Sequence, residues 1–121
     1  MSAMRCVTDC IEHLLAVDPG SLEPIWVRQG ATRGATLDQI STLAGLAGLS
    51  LAEDPRPLPT PLAVAQAAPR GRYLAVVRMR ASDHEAHAVC IEIGADTASI
   101  WDTSNEPVGA LPIVRLWRVI P

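Results

Sequence analysis

Apolar residues recur at helical spacing near the start of the chain, at Ile11, Leu14 and Leu15, and again through Ile40, Leu43 and Ala44. From Tyr73 onward the pattern changes to short apolar runs and alternations: Tyr73 to Arg80, Ala86 to Ile93, Asp96 to Asp102 and Pro112 to Ile120. Helices are thus expected first and strands afterwards, with a short helix from Leu62 to Ala68 between them. That order predicts an α+β fold in which N-terminal helices pack on a small antiparallel sheet. Punctuation supports the boundaries. Asp18-Pro19-Gly20 ends the first helix near Val17. Thr36 with Gln39 three residues later reads as a capping box opening the second, which runs toward Ala47 past the weakening Gly45. Residues Ser21 to Gly34 read as a connection. The proline-rich run Asp54 to Pro61 reads as a stiff extended connector, with a proline-reading domain as its less common use.

The candidate chemistry lies at two of these elements. Asp9 is a plausible N-cap with Glu12 closing a second capping box, which makes Cys10 the first helical residue. There the free backbone N–H groups and the helix dipole would hold its thiol below the ordinary value of roughly 8.5. The competing reading is a small buried hydrophobe. Cys6 competes as a nucleophile but falls before this helix start and so lacks the dipole. In the second half, Gly94-Ala95 reads as a type II′ loop joining two strands. That register sets His87 directly opposite Asp102; moving the loop to Ala95-Asp96 shifts the pairing but keeps both side chains on one face. A carboxylate beside an imidazole fixes its tautomer and stabilises its charged form. Cys90 alternates to the other face and is expected to pack there.

Other constellations are weaker. His84, His87 and a cysteine have the chemistry for zinc but not the spacing of a structural knuckle. His13, three residues after Cys10, can perturb the thiol or act as a base, although a helix-surface histidine is commoner. Arg78 and Arg80 share a strand face and suit a carboxylate or plain solvation.

Composition narrows the field. The chain has 121 residues, enough for one domain with a proper core. Its ten cations are all arginine, and the net charge of −3 with no basic run argues against a nucleic-acid partner. No apolar run approaches the ~18 residues that span a bilayer, and no signal peptide is evident. An odd number of cysteines, three, fits reduced thiols and a cytoplasmic location.

Thr8-Asp9-Cys10-Ile11-Glu12-His13-Leu14-Leu15-Ala16-Val17, together with His87-Ala88-Val89 through Trp101-Asp102, resembles the papain-like cysteine peptidases. The nearest likeness is to the compact domains that trim double-glycine leaders from bacteriocins and their stand-alone relatives. Gly34 to Ile40 echoes the second helix of that family. The resemblance implies a single papain-like domain over residues 1–121. In it Cys10 is the nucleophile, His87 the acid and base, and Asp102 the orienting residue. It implies a peptide or protein substrate and neither cofactor nor metal. One departure stands out: the glutamine that the family places about six residues before the cysteine, as an oxyanion donor, is Met4 here. Losing one such donor typically costs roughly 10²–10³ in kcat. A degenerate domain that only binds a peptide is therefore one alternative. Acyl transfer or deamidation is the other, since arylamine acetyltransferases and transglutaminases share the Cys, His, Asp order. Oligomeric state has no signature in the sequence.

Overall fold

The computed structural model describes residues 5–32, 34–56, 58–79, 86–103 and 107–120. Met4, Arg80, residues 82–85 with His84, and Ser104-Asn105 lie outside them. The architecture is α+β. Helices α1 (Arg5–Leu14), α2 (Glu23–Arg28) and α3 (Ile40–Leu46) come first, followed by β1 (Leu51–Glu53) and α4 (Pro61–Ala67). Strands β2 (Gly71–Arg78), β3 (Ala86–Ile93), β4 (Ala98–Trp101) and β5 (Ile113–Val119) complete an antiparallel sheet of order β1-β5-β2-β3-β4.

Both faces of the sheet are covered. On one, Val7, Cys10, Ile11 and Leu14 of α1, Trp26 of α2 and Ile40, Leu43 and Ala44 of α3 pack on Leu74, Val76, Ala88, Cys90, Trp117 and Val119. On the other, Val64 of α4 joins Tyr73, Ala75, Val77, Val89, Ile91 and Leu116. The central strands β2 and β3 are buried on both sides, which is why they read as near-continuous apolar runs. Among the described residues no helix is long and apolar enough to cross a membrane.

The first helix starts at Arg5 rather than Asp9. Val7, Cys10, Ile11 and Leu14 form one buried stripe at i, i+3, i+4 and i+7, so the core-facing periodicity begins upstream of the capping signature. Glu12 closes no box with Asp9. Its carboxylate, only 3% exposed, accepts from the backbone N–H groups of Gly20 (3.0 Å) and Leu22 (3.1 Å) and ties the following loop to α1. The helix ends short of Val17, in a Schellman motif. Ala16 takes the left-handed conformation (φ 58°), with Ala16 N–H on the His13 carbonyl and Val17 N–H on that of Glu12. The Arg72 guanidinium donates to the Leu14 carbonyl at the same end.

The Thr36–Gln39 capping box is present, although a 3₁₀ turn over Leu37–Gln39 precedes α3. Two elements escaped the sequence reading. Helix α2 lies in the expected connection, with Pro24 in its first turn where a missing N–H costs nothing. The three residues of β1 pair with β5 at the sheet edge. The proline-rich connector is stitched to β5 by Ile113 N–H on the Pro59 carbonyl (2.9 Å) and folded on itself by the Asp54–Arg56 ion pair. It is a structural connector.

Substituting Glu12→Gln leaves one acceptor oxygen and sets an amide donor against the second of the two backbone donors. Hydrogen bonds to a charged group are worth about 1.5–3 kcal/mol. Urea unfolding should show a lower midpoint at unchanged m-value, with a loss of about 2 kcal/mol; a loss below about 0.5 kcal/mol would mean the loop is held by other contacts.

Candidate functional site

The alternation of β3 decides which side chains meet. Ala86, Ala88 and Cys90 point toward α1, whereas Val89 and Ile91 point toward α4. His87 takes the second parity, opposite Val77 on β2. Strand β4 pairs Cys90 with Trp101 and Ile91 with Ile100. The Gly94-Ala95 loop is not formed. Gly94 does not have positive φ, which a type II′ first position requires; its N–H instead bonds the Thr97 carbonyl at 2.8 Å around Ala95-Asp96. Continued outward, this register sets Asp102 beside Val89 rather than His87, so the histidine reaches it along the diagonal. Nε2 of His87 and Oδ2 of Asp102 are 3.0 Å apart, with each side chain 13% exposed. The imidazole–carboxylate pair therefore forms on one face of the sheet, at the end of an apolar surface.

Cys10 does not join it. It is the sixth residue of α1, fully buried on the opposite face of β3, with its carbonyl taking the Cys90 thiol at 3.6 Å. Its own N–H, in mid-helix, belongs to the i−4 carbonyl. The expectation of a lowered thiol is reversed: burial pushes the Cys10 thiol well above its ordinary value, and the Cys90 sulfur adds to that. An oxyanion donor and a dipole-activated sulfur are both missing at this position.

Cys6 has what Cys10 lacks. It is the second described residue of α1. It is partly exposed, and its sulfur accepts from the backbone N–H of Ala88 at 3.2 Å. That amide lies past the last β3–β4 pair, at the open sheet edge and one peptide from His87. Asp9, a turn further along, feels the charge of His87. Burial pushes the Cys6 thiol above its ordinary value; the Ala88 hydrogen bond works against this and the Asp9 carboxylate with it.

His13 neither perturbs a thiol nor serves one. Its ring stacks on Trp101 (centroids 4.0 Å apart, planes within 6°), and Nε2 lies 2.9 Å from Glu92 Oε1. Below this stack runs a cavity of about 670 Å³ between α1 and the β3–β4 end, lined by Asp9, Glu12, His13, Val17, Glu92 and Trp101 among others. Cys90 packs on the α1 face, as its alternation requires. Among the described residues no group of three or more histidine, cysteine or acidic side chains is placed to hold a metal.

The signal that could have singled out Cys6 was Val7. Including it in the buried stripe extends the helix back through Cys6. No family model, curated protein or solved structure matches the chain.

Alkylation with iodoacetamide, read residue by residue, should modify Cys6 in the native protein and leave Cys10 and Cys90 protected until denaturation. The Cys6 rate should rise on the alkaline side of an ordinary thiol. Asp9→Asn removes a charge that raises the Cys6 pKa, so it should move the curve toward lower pH. Labelling of Cys10 in the native state, or a shift of the curve to higher pH in Asp9→Asn, would contradict the assignment.

Proposed function

We propose that the chain is a papain-like cysteine hydrolase acting on a peptide or isopeptide bond, with Cys6 rather than Cys10 as nucleophile, His87 as acid and base, and Asp102 as the orienting residue. The observation that carries this reading is the Cys6 sulfur on the amide beside His87, on a histidine already bonded to a carboxylate through Nε2. With Nε2–H donating to Asp102, the neutral ring keeps its lone pair on Nδ1, the nitrogen that can accept a thiol proton.

The reaction follows from these roles. The thiol of Cys6 is protonated at rest, because burial disfavours the thiolate. His87 Nδ1 therefore takes the proton as sulfur attacks the carbonyl carbon, and the imidazolium formed is stabilised by Asp102. The oxyanion of the tetrahedral intermediate falls near the leading N–H groups of α1, including that of Cys6. Collapse returns the proton from His87 to the departing amine and leaves a thioester on Cys6. Water, deprotonated by His87, then attacks the thioester; the acid leaves and the thiol is restored. An amine in place of water gives transfer through the same intermediate. Three unpaired thiols suit the reducing cytoplasm in which such a nucleophile stays active.

The raised Cys6 thiol also favours a second reading, a domain that keeps the cleft but only binds its peptide. Acylation separates the two. With p-nitrophenyl acetate the hydrolase should release one equivalent of p-nitrophenolate in a burst and carry the acetyl group on Cys6. Cys6→Ala should abolish the burst, His87→Ala should slow it by about 10²–10⁴, and Cys10→Ala should retain it. A burst that survives Cys6→Ala, or no burst at all, would overturn the reading, the latter in favour of binding alone.

A further inference from the structure

The cavity between α1 and the β3–β4 end has a composition that the chemistry of bond cleavage does not need. One wall is apolar, formed by Ala16, Val17 and Pro19. The opposite wall is the half-buried indole of Trp101, stacked with His13. The polar lining is acidic: Asp9, Glu12 and Glu92 contribute carboxylates, and among the described lining residues there is neither lysine nor arginine. The volume, about 670 Å³, is that of a site for a side chain or small ligand.

The acids differ in how fully they are engaged. Glu12 is committed to the Gly20 and Leu22 amides. Glu92 is 42% exposed and meets His13 through Oε1, while its cross-strand neighbour Arg72 donates to the Leu14 carbonyl. Asp9 is partly buried; Arg5, whose charge it feels, bonds Glu23 and the Thr32 carbonyl. Asp9 also lies within electrostatic reach of His87, and Trp101 and Thr103 flank Asp102 in sequence. The cavity thus lies on the α1 face, across the end of β4 from the His87–Asp102 pair.

We propose that this cavity binds the basic side chain of a peptide substrate, its aliphatic stem along Val17 and Pro19 and its cationic head between Asp9, Glu92 and the face of Trp101. Long basic side chains suit such a site because the stem prefers apolar contact while the head requires anions or an aromatic face. This assigns a substrate class to the hydrolase reading and rests on it for its biological meaning, but the test needs no turnover.

Trp101 supplies the readout, since Trp26 and Trp117 are buried in the core. Titration with Nα-acetyl-arginine amide or Nα-acetyl-lysine amide should give a saturable change in tryptophan emission. The citrulline analogue, which has the shape of arginine without its charge, should bind several-fold more weakly. Asp9→Asn and Glu92→Gln should each weaken arginine binding several-fold with an unchanged thermal midpoint. Trp101→Phe should remove the signal. Equal response to arginine and citrulline, no saturable response to either cation, or a signal that persists in Trp101→Phe would overturn the proposal. A failure of Cys6 acylation leaves these titrations unaffected, and a failure of the titrations leaves the acylation unaffected, so the two readings fail separately.

Discussion

The alternation of side chains along β3 constrains everything else in this molecule. The middle of the strand, Ala88 to Ile91, is buried between layers of helix on both sides, so alternate positions are committed to one core or the other. Slipping the strand by one residue would exchange the two cores and drive His87 into the packing under α1. Because the register is held by eight consecutive pairs with β2, His87 stays with Val89 and Ile91 and finds Asp102 on that same face. Cys10 is excluded from the pair by the same rule. The Cys6 sulfur lies past the last β3–β4 pair, on the amide of Ala88.

Helix α1 is held in that position at both ends. Its apolar stripe fixes rotation about the helix axis, because Val7, Cys10, Ile11 and Leu14 must all face Ala88 and Cys90. The Schellman turn at Ala16, the Arg72 cap and the Glu12 carboxylate fix its far end and the loop that leaves it. This placement has an electrostatic consequence. Desolvation of the Cys6 sulfur outweighs the favourable backbone hydrogen bond, so the resting state is a neutral thiol rather than a thiolate paired with imidazolium. In the proposed reaction the histidine accepts that proton during attack, for which an Nε2–H bond to Asp102 would leave Nδ1 available.

The sequence made much of this architecture legible. Long two-sided apolar runs identified β2 and β3 because their composition reflects burial on both faces. The pair His87 and Asp102 was readable because any tight loop that keeps the parity of the hairpin puts both on one face. What failed were local signatures that lost to tertiary packing. Asp9 and Glu12 have the spacing of a capping box, yet Glu12 is more valuable to the loop amides of Gly20 and Leu22 than to a helix start. The Gly94-Ala95 dipeptide has the composition of a type II′ turn, yet pairing Ile93 with Ala98 and Ile91 with Ile100 aligns the apolar residues of both strands. The start of helix α1 was read at least one turn late as a direct result of the first of these. Helix α2 and strand β1 were missed because each is too short to show a period.

The central claim is that His87 works with Cys6 and not with Cys10. The bifunctional alkylator dibromoacetone joins a thiol to an imidazole only when both lie within the reach of its three carbons, losing a bromide at each end. Treating the native protein and mapping the product by mass spectrometry should yield a Cys6–His87 bridge and none to Cys10. A bridge from His87 to Cys10, or Cys6 alkylated at one end with His87 unmodified, would contradict the account.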